Sequence, residues 1–189
     1  MTATTGTRSP STTTWTIDPA HTLIEFTAKH MMITNVRGRL ADVNGTLTID
    51  EADPDRSTAV AEFDAASIDT RTEQRDQHLR SADFLDVENF PKVTFRSKRI
   101  EGASLDAGTS FRVVGDLTIR GTTREVVLDT TFEGRGRDPW GGERVSFSAD
   151  AKIDRREFGL TWNTTLEAGG VLGGNEIRIH VEVQAVLEA

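Results

Sequence analysis

Val145-Ser146-Phe147-Ser148-Ala149-Asp150-Ala151-Lys152-Ile153 alternates apolar and polar residues without a break. Such period-two alternation marks a strand with one buried and one wet face. The last segment repeats it, with Ile177, Ile179, Val181, Val183 and Ala185 set against Arg178, His180, Glu182 and Gln184. Phe111, Val113, Gly115, Leu117 and Ile119 alternate in the same way with Arg112, Val114, Asp116, Thr118 and Arg120. Weaker versions run through 23–29, 46–50, 58–65, 93–97 and 126–132. Between these runs, Asn44-Gly45, Asp53-Pro54, Arg120-Gly121, Gly134-Arg135-Gly136 and Gly141-Gly142 place Gly or Pro where a chain must reverse. The linkers are short, as antiparallel neighbours require. Eight or nine strands at this spacing predict an all-β sandwich or barrel. No repeat of propeller or solenoid length is present.

One segment breaks the rhythm, Ser67 to Pro91. Thr70-Arg71-Thr72-Glu73 fits a capping box with Thr70 as N-cap. It predicts a short helical insertion near residues 70–90, running to about Leu79 and ended before Pro91. Its apolar residues Phe84, Leu85, Val87 and Phe90 need a partner, and one mouth of a barrel would supply it as a lid or plug.

Composition narrows the function classes. The chain has 189 residues, one domain on length, with 22 basic and 30 acidic side chains and a formal charge of -8. An acidic chain whose basic residues are scattered repels phosphate backbones, so nucleic acid is not an expected partner. With no cysteine, disulfides and thiolate metal sites are ruled out. No run approaches the length of a membrane-spanning helix. Residues 1–14 are small and polar, without the apolar core of a secretory signal, and read as a disordered tail ahead of a domain at 15–189. That reading carries the expectation of a cytoplasmic protein.

Chemistry-bearing motifs are mostly absent: no phosphate loop, no zinc-protease helix, no nucleophile elbow and no dinucleotide fingerprint. Gly169-Gly170-Val171-Leu172-Gly173-Gly174 is Gly-rich but leads into a strand, so it reads as a loop or as backbone passing close to something else. His21, His30, His78 and His180 have no metal-ligand spacing, so no metal or cofactor is expected. His180 falls on the wet face of the last strand. Arg75-Asp76-Gln77-His78 is the densest polar cluster. Asp76 could orient His78 as a general base, with Ser81 as nucleophile. Ser81 is better explained as a helix cap, and the cluster as a network tying the insertion to the barrel. Small residues at inward positions, Ala28, Ala149, Ala151 and Gly115, hint at unfilled space.

The chain resembles the YceI-like family of lipocalin-like, polyisoprenoid-binding proteins. The resemblance spans 15 to 189. It opens with Trp15-Thr16-Ile17-Asp18-Pro19-Ala20-His21-Thr22 and Ile24-Glu25-Phe26. It is strongest at Ser67-Ile68-Asp69-Thr70 and Arg75-Asp76-Gln77-His78-Leu79-Arg80-Ser81-Ala82-Asp83-Phe84. Phe90-Pro91-Lys92-Val93-Thr94-Phe95, Gly115-Asp116-Leu117-Thr118-Ile119-Arg120-Gly121 and Arg156-Glu157-Phe158-Gly159-Leu160 complete it. Gly173-Gly174-Asn175 departs from a family loop that often carries Val-Gly-Asp. The resemblance implies an antiparallel lipocalin-like β-barrel of about eight strands, an isoprenoid or other long-chain lipid in an apolar pore, no enzymatic activity and a homodimer. It also implies export for many members, which the N-terminal residues here do not suggest.

Strand parity then nominates the pore lining: Phe26, Phe63, Phe95, Phe111, Val145, Phe147, Leu160 and Trp162, with Phe84 and Leu85 from the insertion. Arg75, His78, Arg80 and Arg120 are the candidates for a polar head group at the mouth. Two other functions compete with storage or transport of a lipid. One is an interaction module with a barrel filled by its own side chains; the other is a hydrolase using Asp76 and His78.

Overall fold

A computed structural model describes residues 12–165 and 172–188. Among them are ten strands: β1 Thr12–Ile17, β2 Leu23–His30, β3 Thr34–Leu40, β4 Asn44–Asp50, β5 Thr58–Asp64, β6 Lys92–Glu101, β7 Ser110–Ile119, β8 Thr122–Arg137, β9 Glu143–Asp154 and β10 Gly173–Leu187. One helix, α1, covers Glu73–Arg80. Every strand pairing is antiparallel.

Eight strands close a ring in the order β1-β4-β5-β6-β7-β8-β9-β10, and β10 returns to β1. The long β10 makes this closure with its last residues, Ala185–Leu187. Its earlier part, Ile177 to Glu182, pairs instead with β2. The β2–β3 hairpin therefore widens the barrel at one end. The free edge of β3 is covered there, because Arg39 and Asp69 exchange backbone hydrogen bonds of 2.9 and 3.0 Å. The helical insertion sits at this same end, between β5 and β6.

Alternation translates into inward and outward faces. Val145, Ala149, Ala151 and Ile153 of β9 are buried, as are Val113, Leu117 and Ile119 of β7. Outward positions of β6, β7 and β8 carry a charge lattice in which Lys98 pairs with Glu125 and Arg112 with Glu101. At the end away from α1, Trp15, Ile49, Phe132, Val145 and Ala185 form a compact cluster. Trp15 is fully buried, with Arg135 stacked 5.1 Å from its ring. Toward α1, Ile68, Leu85, Val93, Phe95, Leu117 and Phe158 form a second cluster joined to the insertion.

Three expectations change. The boundary of the N-terminal tail moves, because Thr12 to Thr14 already pair with β4; residues 1–11 lie outside the described residues. Strand β3, which carried no clear alternation, is present. Helix α1 starts at Glu73 with Thr72 as its N-cap, and Ser81 to Phe90 form successive turns rather than further helix. Thr70 is not a cap because its hydroxyl is committed to the carboxylate of Asp76, at 2.5 Å.

The candidate pore and its mouth

A cavity of about 530 Å³ runs along the barrel. At the Trp15 end it reaches Pro54, Ser104 and Leu105; at the α1 end it reaches His30, Arg75 and His78. Its wall is overwhelmingly apolar. Phe26, Phe63, Phe84, Leu85, Phe95, Phe111, Phe147, Leu160 and Trp162 all lie on it. Val145 does not: it is inward, but stacked in the Trp15 cluster below the cavity. The small residues divide as well. Ala28, Ala149 and Ala151 line open space. Gly115 faces a filled site, where a Cβ would fall 2.5 Å from the Phe95 ring.

At the α1 end, aromatic rings meet edge to face. His78 lies 4.5 Å from Trp162 and 5.1 Å from Phe84, centroid to centroid. This cluster joins the insertion to the segment after β9. The other ring edge of His78 is held by Asp83, at 2.8 Å. Asp76 takes no part. It is buried and accepts the backbone N–H and hydroxyl of Thr70. Two positions apart on a helix, Asp76 and His78 face different ways. Ser81 donates to the carbonyl of His78 at 2.7 Å, as a helix cap does. The base-nucleophile arrangement weighed for a hydrolase is therefore not assembled.

The four candidate head-group residues separate into two pairs. Arg75 and His78 stand on the cavity wall. Arg80 instead donates to the carbonyls of Ala66 and Ile68, both at 2.9 Å. Arg120 donates to the carbonyl of Ala82 at 2.7 Å. These two guanidiniums fasten the insertion to the barrel rim and leave the mouth to others.

Sequence reading missed Lys29 and Arg155, both on the wall. Arg155 follows β9 and is 6% exposed. It donates to the carbonyls of Gly174, Leu160 and Trp162, at 2.7–2.9 Å. Burial weakens its hold on its proton and pushes the guanidinium's pKa down. Arg75 likewise donates only to neutral oxygens, of Thr70 and Thr72. Among the described residues, neither arginine nor Lys29 forms an ion pair in contact; Arg155 feels the charge of Asp154, its neighbour in sequence, and Glu25 is the one acid on the wall. In a chain with a charge of -8, this end of the pore is locally cationic. Gly174 permits the close packing here, since a Cβ would lie 3.0 Å from that of Lys29. Gly169 to Val171, the rest of the Gly-rich stretch, lie outside the described residues. Also among the described residues, no group of His, Asp and Glu could hold a metal ion and no helix is long and apolar enough to cross a membrane.

The YceI-like domain model matches residues 15–185. The chain belongs to the YceI-like family. A UPF0312 protein of Serratia proteamaculans is 40% identical to this YceI-like chain over 141 residues, 75% of this chain and 71% of the relative. The fold matches the crystal structure of Burkholderia cenocepacia BcnA with a TM-score of 0.76, at 21% identity over 89% of this chain and 98% of that one. It also matches a polyisoprenoid binding domain from Saccharophagus degradans with a TM-score of 0.69, at 12% identity over 92% and 98% of the two chains.

The opening family motif has a clear structural role in this YceI-like barrel. Asp18 caps the turn at Ala20, bonds His21 at 2.7 Å and takes Arg144 of β9 at 2.7 Å. The Arg144 guanidinium, with His21 second, holds the Asp18 carboxyl down from 3.8 to about 2. On the same outward face of β9 and β10, His180 is not simply solvated: Asp150 bonds it at 2.8 Å and raises its pKa.

Proposed function

We propose that this protein binds a long-chain isoprenoid or similar amphiphilic lipid, tail along the barrel cavity and head at the α1 end, as a storage or transport protein. The cavity is the observation that carries this reading. An apolar space of about 530 Å³ offers water almost no partners, so it is dry or filled by an apolar chain. Burying carbons there contributes roughly 0.8 kcal/mol per CH₂, enough over several prenyl units to exceed association costs of several kcal/mol. The polyisoprenoid-binding relative supports the ligand class by analogy. A barrel filled by its own side chains would leave no such space, and a hydrolase would need Asp76 turned toward His78. Binding rather than catalysis therefore fits the arrangement best.

Titration with prenyl alcohols of rising length tests the proposal. Affinity should tighten with each added unit and then level off once the cavity is full. Length-independent, millimolar binding would refute a pore of this kind.

A further inference from the structure

Five large apolar side chains are strongly exposed among the described residues, and three of them are consecutive: Met31, Met32 and Ile33, at 41, 62 and 76%. They form the tip of the β2–β3 hairpin. Single exposed apolar residues are ordinary, but a contiguous set needs a reason. The backbone sharpens the point. Met31 and Met32 have φ of 51° and 60°, the left-handed region where tight hairpins use Asn and Gly. A strained turn built from exposed methionines costs stability twice, once in backbone and once in hydration.

The tip stands beside the pore mouth, since the residues just before it, Lys29 and His30, are on the cavity wall. The hairpin is also one-signed. Between Glu25 and Asp42 it carries Lys29, Arg37 and Arg39 and no acid. Arg39 is paired with Asp69, while Lys29 and Arg37 have no ion-pair partner among the described residues. An apolar tip flanked by basic residues matches an anionic bilayer surface, with methionine and isoleucine entering the headgroup boundary and cations facing lipid phosphates. We propose that the β2–β3 tip docks on anionic lipid bilayers and so presents the mouth of the pore to the membrane. The lipid-exchange role of that docking rests on the carrier reading above; the docking itself does not.

Co-sedimentation of the full chain with vesicles tests this, using phosphatidylcholine alone and phosphatidylcholine with added phosphatidylglycerol. The wild type should partition onto the anionic vesicles. Met31→Asn/Met32→Gly/Ile33→Thr, whose turn residues suit the backbone better and should fold at least as well, should lose roughly tenfold or more in partitioning. Lys29→Gln/Arg37→Gln should lose the preference for anionic vesicles. Trp140→Ser, at the exposed hairpin tip of the opposite barrel end, should change nothing. Wild-type protein that stays in solution, or partitioning that survives the tip variant, overturns the proposal. So does tip-dependent self-association without vesicle binding, which would make the tip a protein contact. Lipid extracted from the same samples separates the two claims. Retained lipid without vesicle binding defeats docking alone, and vesicle binding by a protein that never holds lipid defeats the carrier reading alone.

Discussion

Asp76 accepts both the backbone N–H and the hydroxyl of Thr70, at 2.9 and 2.5 Å, and so locks α1 onto the segment that covers the edge of β3. Removing a buried acceptor leaves its donors unsatisfied, at about 1–3 kcal/mol. Asp76→Ala should therefore lower stability by that amount and loosen the insertion, read by denaturant unfolding and by hydrogen exchange at residues 70–80. His78→Ala loses ring contacts at the mouth and an exposed bond to Asp83, and should unfold closer to the wild type. Equal losses would mean that Asp76 has no special structural role.

The wall residues Ala149 and Ala151 give a direct way to shrink the pore. Ala149→Leu/Ala151→Leu projects carbon into open space rather than into packed neighbours. Bound lipid per protein should fall while thermal stability holds or rises. Gly115→Ala is the contrasting case. Its new methyl would lie 2.5 Å from the carbonyl oxygen of Arg96, so overpacking should cost about 1–3 kcal/mol.

Lys29 and Arg75, which form no ion pair and with Arg155 outnumber the single wall acid Glu25, set a preference for negative charge on the head group. A prenyl phosphate should bind roughly tenfold or more tighter than the prenyl alcohol of equal length. Lys29→Gln/Arg75→Gln should erase most of that ratio while leaving alcohol binding nearly unchanged. Arg155 is left intact in this test because three backbone carbonyls depend on it. Equal affinity of the two ligands for wild type would remove Lys29 and Arg75 from head-group recognition.

Asp18 fixes the sign of one pH effect. Its carboxyl is held at about 2 in the fold against an ordinary 3.8, so the charged form is favoured by folding. That contribution is complete above pH 3.8 and is lost as pH falls through the interval down to about 2. Asp18→Asn should be less stable at neutral pH and flatter in acid. Asp154, held at about 2 chiefly by Arg156, keeps part of the acid dependence in that variant. An unchanged profile in acid denaturation would contradict the coupling to Arg144.

Alternation made most of the barrel legible, because inward and outward parity is written residue by residue. Parity does not say how far along the barrel axis a residue sits. Val145 is inward, as read, but lies below the cavity in the Trp15 cluster. Strand β3 was obscured by Gly38, whose missing side chain leaves room for the ring of Phe26 on the paired strand. The insertion was legible as a helix, but its cap was not: Thr72 takes the cap position without a side-chain capping bond, and the hydroxyl of Thr70 is held by the buried Asp76. Arg155 gave no signal at all. A charged residue after a strand reads as a turn, and its place on the pore wall depends on carbonyls of the following turn and of Gly174 at the start of β10.

The central claim is that the barrel holds a lipid, and organic extraction of freshly purified protein followed by mass spectrometry tests it most directly. The pore predicts an isoprenoid or other long-chain lipid in near-stoichiometric amount from the wild type and much less from Ala149→Leu/Ala151→Leu. Extracts from both proteins that contain no long-chain lipid, together with no uptake of added prenyl lipid, would contradict it.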